Sequence, residues 1–188
     1  MAASKSKQPD LAGRVEERLR PLVKPGQRIT VAFSGGLDST VLLHLLTRIA
    51  PRLNLALDAV HINHGLQSVA QAWPAHCEEV CRQLDVRFAC VTVEVDRASP
   101  HGQEAAAREA RHAALRKAAG EWIAFAHHRA DQAETLLHRL SRGAGVAGAA
   151  SMREADLRGA PPGILRPLLA EPRIEIEAWA TRHDLKWI

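Results

Sequence analysis

The chain has 188 residues, of which 46% are hydrophobic and 24% are charged, and its formal net charge is +4. This composition excludes a disordered chain and suits one globular domain. No run reaches the ~18 apolar residues of a membrane helix, and the polar start lacks the apolar core of a signal peptide. We therefore expect a cytoplasmic protein with no membrane partner.

Short β-branched runs alternate with segments of helical period along the chain. In chain order the predicted elements are helix 11–23, strand 28–33, a helix ending before Pro51, strand 55–62, helix 70–84, strand 86–95, helix 99–120, strand 121–126, helix 130–145, strand 163–169 and helix 171–185. This alternation predicts an α/β, Rossmann-like fold, a parallel sheet of about five strands with helices on both faces. We expect a tail and helix over residues 1–24 and one domain over 25–188.

The loop after the first predicted strand has the composition of an anion site. It contains Ser34, Gly35, Gly36, Leu37, Asp38, Ser39 and Thr40. The glycines allow a tight turn close to a ligand, and the helix that follows presents unpaired N–H groups. The three hydroxyls suit phosphate oxygens, whereas the Asp38 carboxylate would repel phosphate and is expected to hold Mg²⁺. The alternative is an ordinary turn in which Asp38 caps the helix.

The order Ser-Gly-Gly-x-Asp-Ser resembles the signature of the PP-loop ATP pyrophosphatases, which cleave ATP between its α and β phosphates. Three later stretches resemble the tRNA(Ile)-lysidine synthetases of that superfamily: "HINHGLQ", "EAAAREARHAAL", and "AHHRADQAETLLHRLSRGAGVAGAASM" followed by "RPLL". The resemblance covers most of residues 28–188 and implies the adenine nucleotide alpha hydrolase-like fold. It also implies an N-terminal catalytic domain without the C-terminal tRNA-binding regions of the family, and hence a truncated chain.

The resemblance implies a reaction in two steps. ATP activates C2 of the wobble cytidine in an isoleucine tRNA with a CAU anticodon by adenylylating its carbonyl oxygen, and the ε-amine of free L-lysine then displaces AMP. The products are lysidine, AMP and pyrophosphate. We therefore expect ATP and Mg²⁺ as cofactors, this tRNA and lysine as partners, and a possible homodimer. Adenine is expected beside His61, Ile62 and Asn63, although Asn63 and His64 could instead form only a turn.

A second polar group surrounds the start of predicted helix 130–145. Asp131 and Glu134 share a helix face, and His127 and His128 precede it at a strand end. Given the resemblance, Asp131 or Glu134 is expected to hold the lysine ammonium or a second Mg²⁺, and His128 to contact phosphate or accept the amine proton. The alternative is a solvated helix face. Relatives usually carry an acid or amide where this chain has Ala130, which puts a role for that position in doubt.

Basic residues form a stripe on predicted helix 99–120, made of Arg108, Arg111 and His112. Arg111 matches an arginine of the family, and we expect it to contact phosphate or the activated base. Arg139 and Arg142 are expected to guide the tRNA backbone. Each arginine could instead be a surface residue.

Two rival functions remain open. A tRNA thiolase of the same fold would commonly use catalytic or cluster-binding cysteines, but Cys77, Cys81 and Cys90 form no C-x-x-C pair and are expected to be buried apolar groups. A nucleotide-binding regulatory module that does no chemistry would need neither Asp131 with Glu134 nor the arginine stripe.

Overall fold

The computed structural model describes residues 9–63, 72–93, 103–141, 152–157 and 161–188. Its elements in chain order are α1 (Leu11–Leu19), β1 (Arg28–Ala32), α2 (Leu37–Ile49), a 3-10 turn (Ala50–Leu53), β2 (Ala56–Asn63), α3 (Ala72–Gln83), β3 (Arg87–Thr92), α4 (Gln103–Ala118), β4 (Trp122–Ala124), α5 (Arg129–Ser141), β5 (Ala155–Asp156), β6 (Gly163–Leu165) and α6 (Arg173–Arg182). Among these described helices, none has the length and apolar character needed to cross a membrane.

The strands form one sheet in the order β3-β2-β1-β4-β6-β5. Neighbouring strands are parallel except β5 and β6, which run antiparallel. The chain moves outward from β1 through β2 to β3 and then returns to β4 on the other side of β1. Strand order therefore reverses between β1 and β4, and open α/β sheets bind ligands at such reversals. The predicted α/β class is confirmed.

Over the described residues the sheet has six strands, where the sequence predicts about five. The additional strand, β5, contains two residues, too few to show a period-2 pattern, and it exists through its pairing with β6. The predicted strand 163–169 is extended only over Gly163–Leu165. Pro167 follows shortly after, and because it has no N–H group it cannot continue the ladder.

Apolar side chains pack on both faces of the sheet. On one face, apolar residues of α1, α2, α3 and α6 form one cluster with those of β1, and Leu42 of α2 is fully buried there. On the other face Leu115 of α4 packs against Val60 and Ile123. Successive strand residues point to opposite faces, so β2 places Ala59 in the first cluster and Val60 in the second.

The strand register aligns two segments at the carboxyl edge of the sheet. Val31 of β1 pairs with Ala124 of β4. Ser34 and His127 each lie three residues beyond this pair, so both chains leave the sheet at the same level. This alignment brings the glycine loop beside the segment that precedes α5.

Candidate active site

The glycine loop makes a turn that requires glycine at its first bend. Gly35 has φ +84°, and a Cβ added there would lie 2.9 Å from Sγ of Cys77. Gly36 is the N-cap of α2, has extended dihedrals and receives no capping bond from a side chain. The N-terminus of α2 thus retains backbone donors and a positive dipole end for an anion. The alternative in which Asp38 is the N-cap is wrong, because Asp38 lies in the first turn of the helix.

The three hydroxyls of the loop differ in what they contact. Ser34 Oγ lies 3.0 Å from Ser39 Oγ. Ser39 Oγ and Thr40 Oγ1 each donate to the Gly36 carbonyl, both at 3.0 Å. Thr40 is buried, so its hydroxyl stabilises the start of α2 and is not presented to phosphate as the sequence suggests.

An open cleft of about 890 Å³ lies over the carboxyl ends of β1, β2 and β4. The predicted site residues that line it are Ser34, Gly36, Leu37, Asp38, Ser39, His61, Ile62, Asn63, Arg111, Asp131 and Glu134. The predicted residues Gly35, Thr40 and His128 lie behind this lining. The cleft therefore brings together most of the groups that the sequence assigns to nucleotide and catalysis.

His128 is buried and is fixed by the start of α5. Its Nδ1 accepts the Ala130 backbone N–H at 3.2 Å, while its own backbone N–H donates to Asp131 Oδ2 at 2.7 Å. This reciprocal arrangement resembles a capping box. Because Nδ1 accepts, the neutral ring carries its proton on Nε2, which lies 3.8 Å from Asp38 Oδ1. His128 thus faces Asp38 rather than the open cleft, which does not support its predicted contact with phosphate or the lysine amine.

Asp38 carries an unsatisfied acceptor. Among the described residues, its Oδ1 atom is buried and has no hydrogen-bond partner. A buried carboxylate oxygen without a donor favours a cation as its partner. In the part of the chain that is described, no cluster of three or more His, Cys, Asp or Glu side chains forms a complete metal site. The arrangement fits Mg²⁺, which commonly takes one or two carboxylates and completes its shell with substrate phosphates and water.

His61 connects the end of β2 to the glycine loop. It is buried, and its Nδ1–H donates to the Phe33 carbonyl at 2.9 Å. Sγ of Cys77 lies 3.6 Å from the same nitrogen. The ring therefore fixes the spacing of two strand ends, while Ile62 and Asn63 line the cleft beyond it.

One side of the cleft is basic, and we call it the basic wall: Arg108, Arg111, His112, His127 and Arg166. The pKa of Arg111 is lowered by burial and by Arg108. Burial and four neighbouring arginines lower the pKa of His112, and burial is also the main cause of the lowered pKa of His127. Sequence reasoning missed Arg166, because it lay inside predicted strand 163–169, whereas β6 ends at Leu165.

Further lining residues also escaped sequence analysis. Trp73 of α3 is 45% exposed and lines the cleft, where its ring could stack on a base. Met152 lines the cleft and is held by Gln132, whose side-chain amide exchanges two hydrogen bonds of 2.9 Å with the Met152 backbone. Arg139 lines the cleft, and its role in guiding the tRNA backbone stays a prediction. The predicted contributions of His64 and Arg142 lie outside the described residues.

The cysteines lie away from the cleft lining. Burial raises the pKa of Cys77 and Cys81 to about 12, so both thiols stay protonated. Cys90 is exposed, which corrects the prediction that all three cysteines are buried. The reason is that β3 is an edge strand, in which every residue is either half-buried or exposed.

The chain matches the family model of the PP-loop domain over residues 8–188. It is 52% identical to the tRNA(Ile)-lysidine synthase of Aromatoleum aromaticum over 166 residues, which cover 88% of this chain and 39% of that protein. It is 48% identical to the tRNA(Ile)-lysidine synthase of Pseudomonas syringae pv. tomato over 182 residues, 95% of this chain and 40% of that protein. The chain thus spans about two fifths of the length of these curated relatives.

Two solved structures share the fold at low identity. The U34-tRNA thiolase NcsA from Methanococcus maripaludis, with its [4Fe-4S] cluster, superimposes with a TM-score of 0.78 at 19% identity and covers 95% of this chain and 64% of that one. The NH3-dependent NAD synthetase from Campylobacter jejuni gives a TM-score of 0.57 at 15% identity, covering 93% of this chain and 71% of that one. At these identities the likeness concerns the fold alone.

Proposed function

The chain belongs to the PP-loop domain family, and on that premise we propose that it is the catalytic domain of a tRNA(Ile)-lysidine synthase. The observation that carries this proposal is one cleft in which the uncapped start of α2 and the unsatisfied Asp38 oxygen adjoin carboxylates on α5 and arginines on α4. Such a cleft can hold a triphosphate, a cation and a polyanion together. The proposed cellular site is the cytoplasm, and a homodimer stays a prediction.

ATP is proposed to bind along the carboxyl ends of β1 and β2. The backbone N–H groups at the start of α2, with the Ser34 hydroxyl, are suited to the phosphates, and the chain at Ile62 and Asn63 to the adenine edge. Asp38 would hold Mg²⁺, which offsets the charge on the phosphate oxygens. His128 lies beside the Asp38 carboxylate, with its Nε2 atom 3.8 Å from Asp38 Oδ1.

The proposed chemistry has two displacements. The O2 oxygen of the wobble cytidine forms a bond to the α phosphorus of ATP while the bond to pyrophosphate breaks. The ε-amine of lysine then bonds to C2, AMP leaves with that oxygen, and the amine loses its proton. Arg111 on the basic wall is suited to the negative charge that both leaving groups carry.

Lysine is proposed to bind through Asp131 and Glu134, which line the same cleft. Asp131 uses Oδ2 to accept the His128 N–H, and this bond fixes the orientation of its carboxylate. Glu134, one turn later on α5, is exposed and makes no such cap. Replacement of Asp131 would also disturb the start of α5, so Glu134 is the cleaner residue for testing the ammonium contact.

Thiolation is disfavoured by the cysteines. Cys77 and Cys81 are buried with raised pKa values, and Cys90 lies on the edge strand β3. A sulfur-transfer enzyme that uses cysteine needs an accessible thiolate. A purely regulatory module is disfavoured because two carboxylates on α5 line the same cleft, where they would repel the phosphates of a nucleotide without contributing to its binding.

The test compares Glu134→Gln with Glu79→Gln in lysine-dependent pyrophosphate release on an isoleucine tRNA transcript. Glu79 is an exposed glutamate of α3 that pairs with Arg82, so it controls for loss of a surface carboxylate. A charged hydrogen bond contributes about 1.5–3 kcal/mol, so Glu134→Gln should raise the KM for lysine by roughly 10-fold or more and leave the KM for ATP unchanged. An equal rise in both constants would assign Glu134 to the metal instead, and no rise in either would refute its role.

A further inference from the structure

The basic wall gathers side chains from three separate elements. Arg108, Arg111 and His112 come from α4, His127 from the segment after β4, and Arg166 from the residue after β6. Phe125 lies between the two histidine rings, with its centroid 5.6 Å from each. The aromatic ring thus holds both imidazoles at the surface of the cleft.

These cationic groups are close enough to oppose each other's charge. Arg108 disfavours the charged form of Arg111, and Arg108, Arg111, Arg116 and Arg166 act together on His112. Three arginines, Arg166, Arg108 and Arg111, likewise oppose a proton on His127, and the Asp131 carboxylate favours it. Like charges held together raise the free energy of the unliganded cleft, and a bound anion would relieve that repulsion.

His127 provides an independent sign that a ligand group belongs here. Within the described part of the chain, its Nδ1 atom is buried and has no hydrogen-bond partner. The ring lines the cleft and stacks on Phe125 with an interplanar angle of 27°. A buried ring nitrogen that lacks a partner and is surrounded by arginines is suited to an oxygen of an anion. It would donate a hydrogen bond to that oxygen when protonated.

We propose that the basic wall is a second phosphate subsite of the cleft and that it binds a phosphodiester of the RNA strand next to the nucleotide that reacts. This assignment rests on the proposed function, since it takes RNA as the substrate. It adds His112, His127 and Arg166 to the arginines expected to meet the RNA backbone.

His127 and Arg166 lie at strand ends other than the one that carries the glycine loop. The uncapped N–H groups of α2 follow β1, whereas His127 follows β4 and Arg166 follows β6. Adjacent strands are about 4.8 Å apart, so the two latter residues start one and two strand spacings, roughly 5–10 Å, from the glycine loop. This offset leaves room for a phosphate beside the one at the glycine loop.

The proposal is tested by salt-dependent binding of a CAU anticodon stem-loop RNA to the 188-residue chain, beside ATP binding to the same samples. Arg108→Gln and Arg166→Gln remove a wall cation each, while Lys117→Gln removes an exposed cation farther along α4 and outside the cleft lining. Each wall variant should weaken RNA binding several-fold and reduce the slope of log K against log salt by about 0.7–1. ATP affinity should not change, and Lys117→Gln should resemble the unaltered chain.

Other outcomes overturn the proposal. If the wall variants lose affinity for ATP and keep the RNA slope, the wall binds the phosphates of ATP. If the wall variants change neither RNA binding nor ATP binding, or if Lys117→Gln has the same effect as they do, the wall is not a specific phosphate site. His127→Asn should reproduce the loss of RNA binding at pH 6 with an unchanged urea midpoint, and no effect there would exclude His127. Lysine transfer is measured separately to distinguish this proposal from the proposed function. If the chain fails to transfer lysine but the salt dependence of its RNA binding still changes in the wall variants, the proposed function alone is refuted.

Discussion

Replacement of Gly35 by alanine tests whether the glycine loop is held by the residues beneath it. Gly35 and Gly26 have nearly the same dihedral, with φ +84° and φ +85°, but they differ in surroundings. A Cβ at Gly26 would meet nothing within 4 Å, whereas one at Gly35 would meet Sγ of Cys77 at 2.9 Å and Ile188 at 3.3 Å. Gly26→Ala is therefore a control that carries the same dihedral cost without the contact.

The magnitude follows from these two terms. An L-residue in the left-handed region costs about 1–2 kcal/mol, and this cost applies to both variants. Overpacking adds about 1–3 kcal/mol at Gly35 alone, since Cys77 is fully buried and its Sγ also contacts His61. Gly35→Ala should therefore lower the free energy of unfolding by about 2–5 kcal/mol and Gly26→Ala by about 1–2 kcal/mol.

The assay is urea unfolding of both variants, with ATP titration of the folded proteins. Removing the contacting sulfur in Gly35→Ala/Cys77→Ala should recover part of the loss, so the double variant should be more stable than the sum of the single effects by about 0.5–3 kcal/mol. Gly35→Ala should also weaken ATP binding, whereas Gly26→Ala should not. Equal destabilisation by both single variants, or strict additivity in the double variant, would refute the claim that Cys77 fixes the loop.

Three further predictions concern other parts of the molecule. Burial, Arg48 and His183 lower the pKa of His44 to about 4, so the unfolded chain binds the proton more tightly and stability should fall by about 3 kcal/mol as pH drops from about 6.5 to 4. Urea midpoints of the unaltered chain should fall with pH across that range, and those of His44→Gln should fall less. An equal fall in both proteins would show that another group causes the pH dependence. Gln132→Glu should lower the free energy of unfolding by about 1–3 kcal/mol, because its carboxylate would face the Met152 carbonyl, and an unchanged urea midpoint would contradict that. In a thiol titration of the native protein Cys90 should react rapidly and the two buried cysteines only after unfolding, and three equally fast thiols would contradict the packing of α3.

The parts of the fold that could be predicted from the sequence are those that produce a local pattern of residues. The apolar run before Ser34 and the leucines after Asp38 identify a strand and a helix, and the glycine pair between them identifies the turn. The alternation of strands and helices then implies a mostly parallel sheet, which the structure confirms. Short strands such as β5 have no pattern of their own, because they depend on a partner strand that is brought in by the rest of the fold.

In the candidate site, too, local sequence predicts some features, whereas others depend on the rest of the fold. Spacing on one helix was sufficient to group Asp131 with Glu134, and both line the cleft. The role of His128 could not be predicted, because it depends on which ring nitrogen the Ala130 N–H reaches. Arg166 joins the arginines of α4 only through the order of β4 and β6 in the sheet, which no local pattern contains.

The measurement that tests the central claim most directly is transfer of labelled lysine to an unmodified isoleucine tRNA with a CAU anticodon, with AMP measured in the same reaction. At high tRNA concentration, we predict that lysine in tRNA and AMP appear in equal amounts and only with ATP. Asp38→Asn should abolish both products, because the carboxylate oxygen that lacks a partner would no longer carry the charge a cation needs. Asp85→Asn, a matched change at an exposed turn with φ +53°, should retain them. AMP formed without lysine in the tRNA, or full transfer by Asp38→Asn, would contradict the account.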